Sequence, residues 1–447
     1  MGGAADERAP PIPFFQFVRQ AFPFRSSAGS HRIGHMNWMR RRFLQATSLL
    51  AGGAGLVRGA AAQHAGHAAA HVPVQTPDLP RLEYVLEDGV KVFRLRAEVV
   101  HCEIMPKTHM GPARKMWAWG YNGSVPGPMI EVVEGDRVRI LFENRLPEPT
   151  TVHWHGLEIP IEMDGTPYIS QPMVEPGGAF TYEFTVRQHG TFFYHSHGAM
   201  QEMLGMIGLF VIHPRVPHLP RVDKDYGIIL QGWALLPNND VPNTLAMEFN
   251  WLTMNGKAAP ATTPLIIRKG ERVRIRLVNL GMDHHPIHLH GMQFVVTGTE
   301  GGRIPESAWY PGNTVIVGVA QARDIEFVAQ YEGDWMLHCH LPHHMMNQMI
   351  SLVGPMAMAH GASAQQNADA ARRRVPGYPQ DMMMIVDDDV AKPETWGLAR
   401  GWTASMMGMM NLVRILPDEK YNRIMTMIRE GRTGAPNSPH GGHKPEK

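Results

Sequence analysis

The sequence predicts an all-β chain that folds into two tandem Greek-key β-sandwiches. Residues 137–142 and 272–277 each alternate charged and apolar side chains, which is the pattern of a strand with one buried face. The 447 residues include 45 glycines and 36 prolines, which supply turns between short strands. No long amphipathic helical pattern runs between Leu82 and Val353. Short alternating strands separated by frequent turns are typical of β-sandwiches.

One structural unit occurs twice in the chain. Residues 133–144 reappear as residues 268–279, with the same alternation and with a glycine at the same place, Gly135 in the first copy and Gly270 in the second. In both copies this glycine precedes a His-x-His pair by 18 positions, at His153 in the first copy and at His288 in the second. The chain therefore carries two copies of one unit, each with an early and a late His pair.

Four His-x-His pairs are the strongest chemical signal in the sequence. Alternate residues of an extended strand point the same way, so each pair can present two imidazoles to one metal region. Eight imidazoles are more than a single structural metal site needs. The pairs are His153 with His155 and His195 with His197 in the first copy, and His288 with His290 and His338 with His340 in the second.

The last of these pairs encloses a cysteine. Cys339 is followed by His344 and then by Met349. A cysteine with two histidines and a distant methionine is the ligand set of a blue-copper electron-transfer centre. Histidines that can hold further metals beside such a centre indicate redox chemistry on copper.

The first copy lacks the blue-copper ligand set. The repeat register aligns His285, Cys339, His344 and Met349 of the second copy with Thr150, Ser196, Gln201 and Met206 of the first. Without a thiolate or a first imidazole, the first copy cannot build a blue-copper centre. We therefore expect the electron-entry site in the second copy alone.

At these residues the chain resembles the multicopper oxidases. The matching segments are His153–Gly156, Tyr194–Gly198, His285–Gly291, and His338–His340 followed by His344 and Met349. Four His pairs in order, with a cysteine and a methionine at fixed offsets, form a specific pattern. The resemblance implies a string of cupredoxin domains, here two, as in the small laccase-like members of the family.

The resemblance also implies four coppers per chain. The implied type 1 copper ligands are His285, Cys339 and His344, with Met349 axial. The implied type 2 ligands are His153 and His288, and the type 3 ligands are His155, His195, His197, His290, His338 and His340. His284 and His343 adjoin these ligands, but the cysteine-to-histidine offset of five and the repeat register favour their neighbours.

One acid follows the first His pair, where the family has an acid near the type 2 copper. Asp164 is therefore a candidate for orienting water or relaying protons during oxygen reduction. The alternative is a structural aspartate in a turn before Gly165. Many longer members also have a glutamate just after the equivalent of Cys339. Residues 338–349 contain no carboxylate, so a second proton donor is not identified.

Charge and cysteine content exclude some classes of function. The formal net charge is +1, from 42 basic and 41 acidic residues, and gives no indication of nucleic-acid binding. The chain has only two cysteines. If Cys339 binds copper, Cys102 has no partner within the chain, and we expect it to be a buried thiol.

The N-terminal region resembles a Tat export signal. Arg40 and Arg41 precede a modest apolar stretch, Leu49–Val57, and then a run of small residues, Ala60–Ala62. The apolar stretch is too short and glycine-rich to span a membrane, and we expect no other span. Export of a folded, metal-loaded protein fits a copper enzyme, so we expect a periplasmic or extracellular location.

These patterns divide the chain into five expected segments. They are an export leader (1–62), a His-bearing linker (63–80), the first cupredoxin domain (81–215), the second (216–358), and a C-terminal extension (359–447). The extension is rich in methionine, and thioether sulfur suits Cu(I). The alternative, which we favour, is that methionines fill irregular cores and that residues 412–427 form an amphipathic helix docked on the body.

The sequence favours an exported, laccase-like oxidase that passes electrons from phenols, aromatic amines or Cu(I) to O2. The alternative is a copper-resistance protein that acts mainly as a cuprous oxidase or copper binder. A copper nitrite reductase also uses two cupredoxin domains, but it needs a single three-histidine catalytic copper and a type 1 site in the first domain. This chain has Ser196 at that place.

The position of the cluster ligands leads to an expected assembly. The implied cluster takes four histidines from each copy, and the segment Ile212–Leu265 is too short for a third sandwich of about 100 residues. In a head-to-tail ring, the first copy of one chain meets the second copy of its neighbour. Two-domain members of the family form homotrimers of this kind, so the resemblance predicts a homotrimer with interfacial clusters.

Overall fold

The structure is a computed structural model, and it describes residues 71–236, 239–347 and 385–431. The expected leader and residues 63–70 of the His-bearing linker lie outside the described residues, as does Met349. Among the described residues, no helix is long and apolar enough to cross a membrane.

Strands dominate the described chain. Ten strands and one short helix come first: β1 (Val74–Gln75), β2 (Tyr84–Glu87), β3 (Val90–Met105), β4 (Arg114–Tyr121), β5 (Gly127–Val133), β6 (Arg137–Asn144), β7 (Val152–His155), β8 (Ala179–Thr185), β9 (Gly190–Ser196), α1 (Ala199–Met203) and β10 (Ile207–His213).

Twelve strands and a second helix follow within the same described residues: β11 (Lys224–Trp233), β12 (Trp251–Met254), β13 (Leu265–Arg268), β14 (Arg272–Asn279), β15 (His285–Leu289), β16 (Phe294–Thr299), β17 (Gly302–Arg303), β18 (Tyr310–Gly312), β19 (Thr314–Val317), β20 (Gln321–Val328), β21 (Gly333–Cys339), β22 (Met410–Leu416) and α2 (Asp418–Arg429). Short 3-10 turns occur at Ile161–Met163, Glu306–Ala308, Pro342–Met345, Pro393–Thr395 and Trp402–Ser405.

The first sandwich packs two sheets face to face. One sheet has the strand order β2-β3-β6-β8, with β4 beside β3, and the other has the order β5-β10-β9-β7. The alternating run over residues 137–142 lies in β6, where Val138, Ile140 and Phe142 are buried. They join a core that includes Trp154 and Tyr182. The alternation therefore marks the face of β6 that builds the core.

The second sandwich repeats this arrangement. Its larger sheet has the order β1-β11-β14-β20-β16-β17, with β12 and β18 at its side, and its smaller sheet has the order β13-β22-β21-β15-β19. The core between them includes Ile275, Ile287, Phe294 and Val413. The prediction of an all-β chain with two tandem sandwiches is confirmed. In the described part of the range Leu82–Val353, the one α-helix is α1, which has only five residues.

The C-terminal extension contributes a strand to the second sandwich. β22 lies between β13 and β21, parallel to the first and antiparallel to the second. The expected helix over residues 412–427 is wrong at its start, because residues 410–416 form a buried strand that completes the sheet. Helix α2 begins only at Asp418, after Pro417, and packs through Tyr421 and Ile424 on Ile266 and Leu416.

A buried polar network joins the two sandwiches. The hydroxyl of Thr191 in β9 donates to Oδ1 of Asp324 in β20 at 2.6 Å, and it accepts a hydrogen bond from Arg276 in β14 at 2.7 Å. Arg276 also donates to both carboxylate oxygens of Asp225, each at 2.8 Å. Burial alone would raise the pKa of Asp225, but Arg276 and Arg274 hold it below its ordinary value. Asp225, Arg276 and Asp324 all lie in the second sandwich, so separation of the sandwiches would break the two hydrogen bonds of Thr191 and leave its buried hydroxyl without these partners. The network therefore favours this orientation of the sandwiches.

Candidate metal centres

Three predicted type 1 ligands converge at one end of the second sandwich. His285 begins β15, Cys339 ends β21, and the turn at Pro342–Met345 carries His344. Sγ of Cys339 lies 3.7 Å from Nδ1 of His285 and 3.4 Å from Nδ1 of His344, and the two nitrogens are 3.2 Å apart. All three residues are at most 1% exposed. One thiol and two imidazoles that converge in an apolar core fit the donor set of a copper electron-transfer site.

Burial keeps these three groups in their neutral forms. Burial, reinforced by His344, lowers the pKa of His285 to about 3. Burial also lowers the pKa of His344 to about 4 and raises that of the Cys339 thiol to about 12. The imidazoles therefore offer lone pairs at neutral pH, and a metal that binds here must displace the thiol proton.

The first sandwich has a hydrogen-bonded polar cluster at the corresponding place. Oγ1 of Thr150 lies 3.1 Å from Oγ of Ser196, which donates to Oε1 of Gln201 at 2.7 Å. All three side chains are buried. These are the residues that the repeat register aligned with His285, Cys339 and His344. They offer hydroxyl and amide groups where the second sandwich has two imidazoles and a thiol.

The four pair histidines of the first copy form one set. Strands β7 and β9 pair with His153 opposite His195, which places both pairs at the same sheet edge. Neighbouring ring centroids in this set are 5.3–6.3 Å apart. Nδ1 of His155 lies 3.3 Å from Nε2 of His195. Ligand atoms of His153, His155 and His195 therefore lie close enough together to share a metal ion.

The four pair histidines of the second copy form a separate set. β15 and β21 pair with His288 opposite His338, and ring centroids are 4.8–5.6 Å apart. Nε2 of His290 lies 3.0 Å from Nε2 of His338. Within residues 71–236, 239–347 and 385–431, no ring contact joins this set to the first. One chain thus presents two sets of four imidazoles rather than one group of eight.

Backbone carbonyls orient four of these eight imidazoles. Each donates its Nδ1–H to a carbonyl oxygen at 2.7–2.8 Å: His153 to Asp164, His195 to Ser196, His288 to Asn313, and His338 to Cys339. The bond fixes the tautomer and leaves Nε2 without a proton, ready to accept a metal. Burial lowers the pKa of His153 and His338, and it lowers that of His155 to about 4. These rings are therefore neutral at physiological pH.

Asp164 lies directly against the first histidine set. It follows the turn at Ile161–Met163 and precedes Gly165, whose φ is +84°. A Cβ at position 165 would lie 1.8 Å from the carbonyl oxygen of Val152, so glycine is required there. Asp164 accepts from His153 through its carbonyl, and its Oδ1 lies 3.5 Å from the same Nδ1. Asp164 is thus both a turn residue and a neighbour of a predicted copper ligand.

Two further groups flank His344 at the surface. Oδ2 of Asp283 lies 3.3 Å from Nε2 of His344, and the exposed ring of His343 packs 4.2 Å from that of His344. Ligand atoms of these three residues lie within 4.8 Å of one another. Sequence reasoning missed Asp283, whose only signal was its position two residues before His285. His284 instead accepts a hydrogen bond from the backbone N–H of Val319 at 3.0 Å.

Comparison with known proteins decides the family. A multicopper oxidase family model matches residues 104–217, and a second multicopper oxidase model matches residues 236–354. The two matches together span more than half of the 447 residues. The chain belongs to the multicopper oxidase family. Its two sandwiches are cupredoxin domains, and copper is the family's cofactor.

Individual relatives align over part of their length. Copper resistance protein A of Pseudomonas syringae pv. tomato is 30% identical over 238 residues, 42% of this chain and 39% of the relative. The multicopper oxidase MmcO of Mycobacterium tuberculosis is 29% identical over 245 residues, 47% of each chain. The blue copper oxidase from Nitrosomonas europaea superposes with a TM-score of 0.52 at 31% identity, over 57% of this chain and 81% of that one. The chain spans less than half the length of copper resistance protein A and of MmcO.

Proposed function

We propose that this multicopper oxidase is laccase-like and couples one-electron oxidation of a reductant to four-electron reduction of O2 to water. The observation that carries the proposal is the junction at the end of β21. Cys339 lies in the group with His285 and His344, while its neighbours His338 and His340 lie in the second histidine set. Adjacent residues of an extended strand point to opposite sides, so covalent bonds connect the two sites.

The proposal assigns four coppers per chain to these residues. The type 1 copper would bind His285, Cys339 and His344, and the family pattern places its axial methionine at Met349. The type 2 copper would bind His153 and His288, and the type 3 pair would bind His155, His195, His197, His290, His338 and His340. When bound, copper supplies electron transfer at the first site and oxygen reduction at the cluster. The carbonyl bonds described above hold four of the imidazoles in one tautomer, and the carboxylate of Asp164 lies beside His153, where it can relay protons.

The separation of the two histidine sets supports a homotrimer. His197 of one set and His340 of the other are exposed, and rotation of one sandwich toward the other would break the buried hydrogen bonds of Thr191. A second chain can supply the missing half of each cluster without any such rotation. We therefore propose a head-to-tail ring of three chains, in which each interface joins the first copy of one chain to the second copy of its neighbour.

The surface at His344 suits two classes of reductant. Asp283 is 37% exposed, and its carboxylate can accept a hydrogen bond from a phenol O–H or an aromatic amine N–H. The same carboxylate, together with the exposed imidazole of His343, offers oxygen and nitrogen donors to Cu(I). Phenolic and aromatic amine substrates are the leading proposal. Cu(I) is the second, and it would make the protein mainly a copper-resistance oxidase.

Copper content and oxygen uptake test this function together. Copper-reconstituted protein should contain four coppers per chain and consume O2 with a phenol and with Cu(I) at matched concentrations. Asp283→Asn should slow both reactions, whereas His343→Ala should slow only the reaction with Cu(I). A content of two coppers per chain would contradict the oxidase proposal and favour a copper nitrite reductase. Oxygen uptake with Cu(I) but not with the phenol would exclude phenols as substrates.

Asp164→Asn should slow reoxidation of the reduced enzyme by O2 by about 10²-fold, because oxygen reduction consumes protons and a carboxamide cannot relay them. Reduction of the enzyme by substrate should be unchanged, since Asp164 lies at the first histidine set and not near His344. Stopped-flow kinetics separate the two half-reactions. Glu162→Gln is the matched control, because Glu162 is an exposed acid in the same turn. Normal reoxidation of the Asp164 variant would leave this residue with its turn role only.

We also propose export through the Tat pathway. The support is the sequence from Arg40 to Ala62, which lies outside the described residues. Cell fractionation would test it, since replacement of Arg40 and Arg41 by lysine should retain the protein inside the cytoplasm. Normal export of that variant would contradict the proposal.

A further inference from the structure

The two sandwiches end on equivalent strands. In the first sandwich, β10 pairs antiparallel with β9 and parallel with β5. In the second, β22 pairs antiparallel with β21 and parallel with β13. The register also agrees, because Ile207 of β10 lies opposite His195 and Met410 of β22 lies opposite His338. β22 is therefore the counterpart of β10, although it comes from the C-terminal extension.

The residue before each of these strands is a methionine in the same hydrogen-bonding position. The backbone N–H of Ser196 donates to the carbonyl of Met206 at 3.0 Å, and that of Cys339 donates to the carbonyl of Met409 at 3.0 Å. The N–H of Met206 donates to the carbonyl of Gln201 at 3.4 Å, and that of Met409 donates to the carbonyl of His344 at 2.9 Å. Met409 therefore occupies the structural position of Met206.

Met409 lies between the two segments that carry predicted type 1 ligands. Its backbone bonds to both Cys339 and His344, and its side chain is fully buried in the apolar core that contains Cys339. The next residue, Met410, belongs to a different cluster with Met406. Alternation along the strand accounts for this difference, because successive side chains point to opposite faces.

We propose that Met409, rather than Met349, supplies the axial thioether of the type 1 copper. The inference rests on the proposed function, because it names a ligand of the same centre. Met349 follows His344 by five positions, just as Met206 follows Gln201, so sequence spacing selects it. In the fold, however, the second copy reaches the position of Met206 only at Met409, 65 residues after His344. The C-terminal extension thereby becomes part of the electron-entry site.

The axial ligand tunes the reduction potential of a blue-copper centre, which gives the assignment a measurable consequence. Leucine is close to methionine in volume but cannot bind copper, so Met409→Leu should raise the potential. Glutamine is a stronger axial ligand than methionine, so Met409→Gln should lower it. Both variants should change the electron paramagnetic resonance spectrum of the type 1 copper.

Spectroelectrochemistry and electron paramagnetic resonance on the copper-loaded full chain test the assignment. The matched controls are the same two substitutions at Met410, a buried neighbour on the other strand face, and at the rival Met349. Both control pairs should keep the wild-type potential and spectrum. A potential that is insensitive to Met409 but shifts in opposite directions with the two Met349 variants would overturn the assignment. If the copper-loaded wild-type protein shows no type 1 signal, the proposed function itself would be refuted.

Gly408 provides an independent test of the same geometry. Its φ is +65°, and a Cβ there would lie 2.3 Å from the carbonyl oxygen of His344 and 2.8 Å from the backbone nitrogen of Met346. Gly408→Ala must therefore displace backbone at the type 1 site and shift its absorption and resonance spectra. Gly397→Ala is the control, because Gly397 also lies in the extension with φ +78° but has no atom within 4 Å of its Cβ position. An unchanged type 1 spectrum in Gly408→Ala would contradict contact between the extension and the site.

Discussion

Replacement of Cys339 by serine should abolish the intense thiolate-to-copper absorption near the red end of the visible spectrum and reduce turnover to background. The reason is that Cys339 supplies the only sulfur among the three predicted ligands that converge there. Its Sγ lies 3.4 Å from Nδ1 of His344 and 3.7 Å from Nδ1 of His285. A serine hydroxyl cannot replace a soft thiolate toward copper. Copper at the pair histidines should survive, because all eight imidazoles remain. Absorption spectroscopy, copper analysis and oxygen uptake measure the three effects.

Cys102→Ser is the matched control for this experiment. Cys102 is also a free thiol, half-buried on β3, and burial raises its pKa to about 11. Its Sγ lies 3.7 Å from the carbonyl oxygen of Met116 on the neighbouring strand β4, and Cys102 belongs to none of the groups of converging ligand atoms found among the described residues. The Cys102 variant should keep its colour and its activity. Blue colour retained in the Cys339 variant would place the type 1 centre elsewhere.

Two variants that are inactive alone should recover activity when they assemble together. His155→Ala removes a ligand from the first copy, and His290→Ala removes one from the second copy. If each cluster forms between neighbouring chains, an interface is intact when its first copy comes from the His290 variant and its second copy comes from the His155 variant. Random assembly of equal amounts should restore about one quarter of the clusters. Oxygen uptake measures the recovery, and light scattering should give the mass of three chains.

The control for this experiment mixes two variants with damage in the same copy, His155→Ala and His197→Ala. No interface in that mixture can combine two intact halves, so it should remain inactive. If the cluster instead closes within one chain, the first mixture should be no more active than its parts. A fully active monomer would contradict the trimer in the same way.

The sequence by itself determined the sandwiches and the grouping of the predicted ligands. Both follow from the two-residue period of strands and from the repeated unit, which are local properties of the chain. The alternating run in β6 buries its apolar face as expected. The repeat register also grouped Thr150, Ser196 and Gln201, which share hydrogen bonds in the first sandwich. Ser196 ends β9 and Cys339 ends β21, and both strands have seven residues.

Only the tertiary structure decided how these parts meet. The strand that completes the second sandwich comes from residues 410–416, and the methionine beside Cys339 is Met409. Among the described residues the two histidine sets share no ring contact, and the buried hydrogen bonds of Thr191 join the sandwiches in this orientation. Hydrogen-bond ladders and buried charge pairs join residues that are far apart in sequence, so a pattern within one segment cannot reveal its partner. The spacing rule that selected Met349 assumes that the final strand follows His344 directly, and our proposal of Met409 as the axial ligand rests on the later position of that strand.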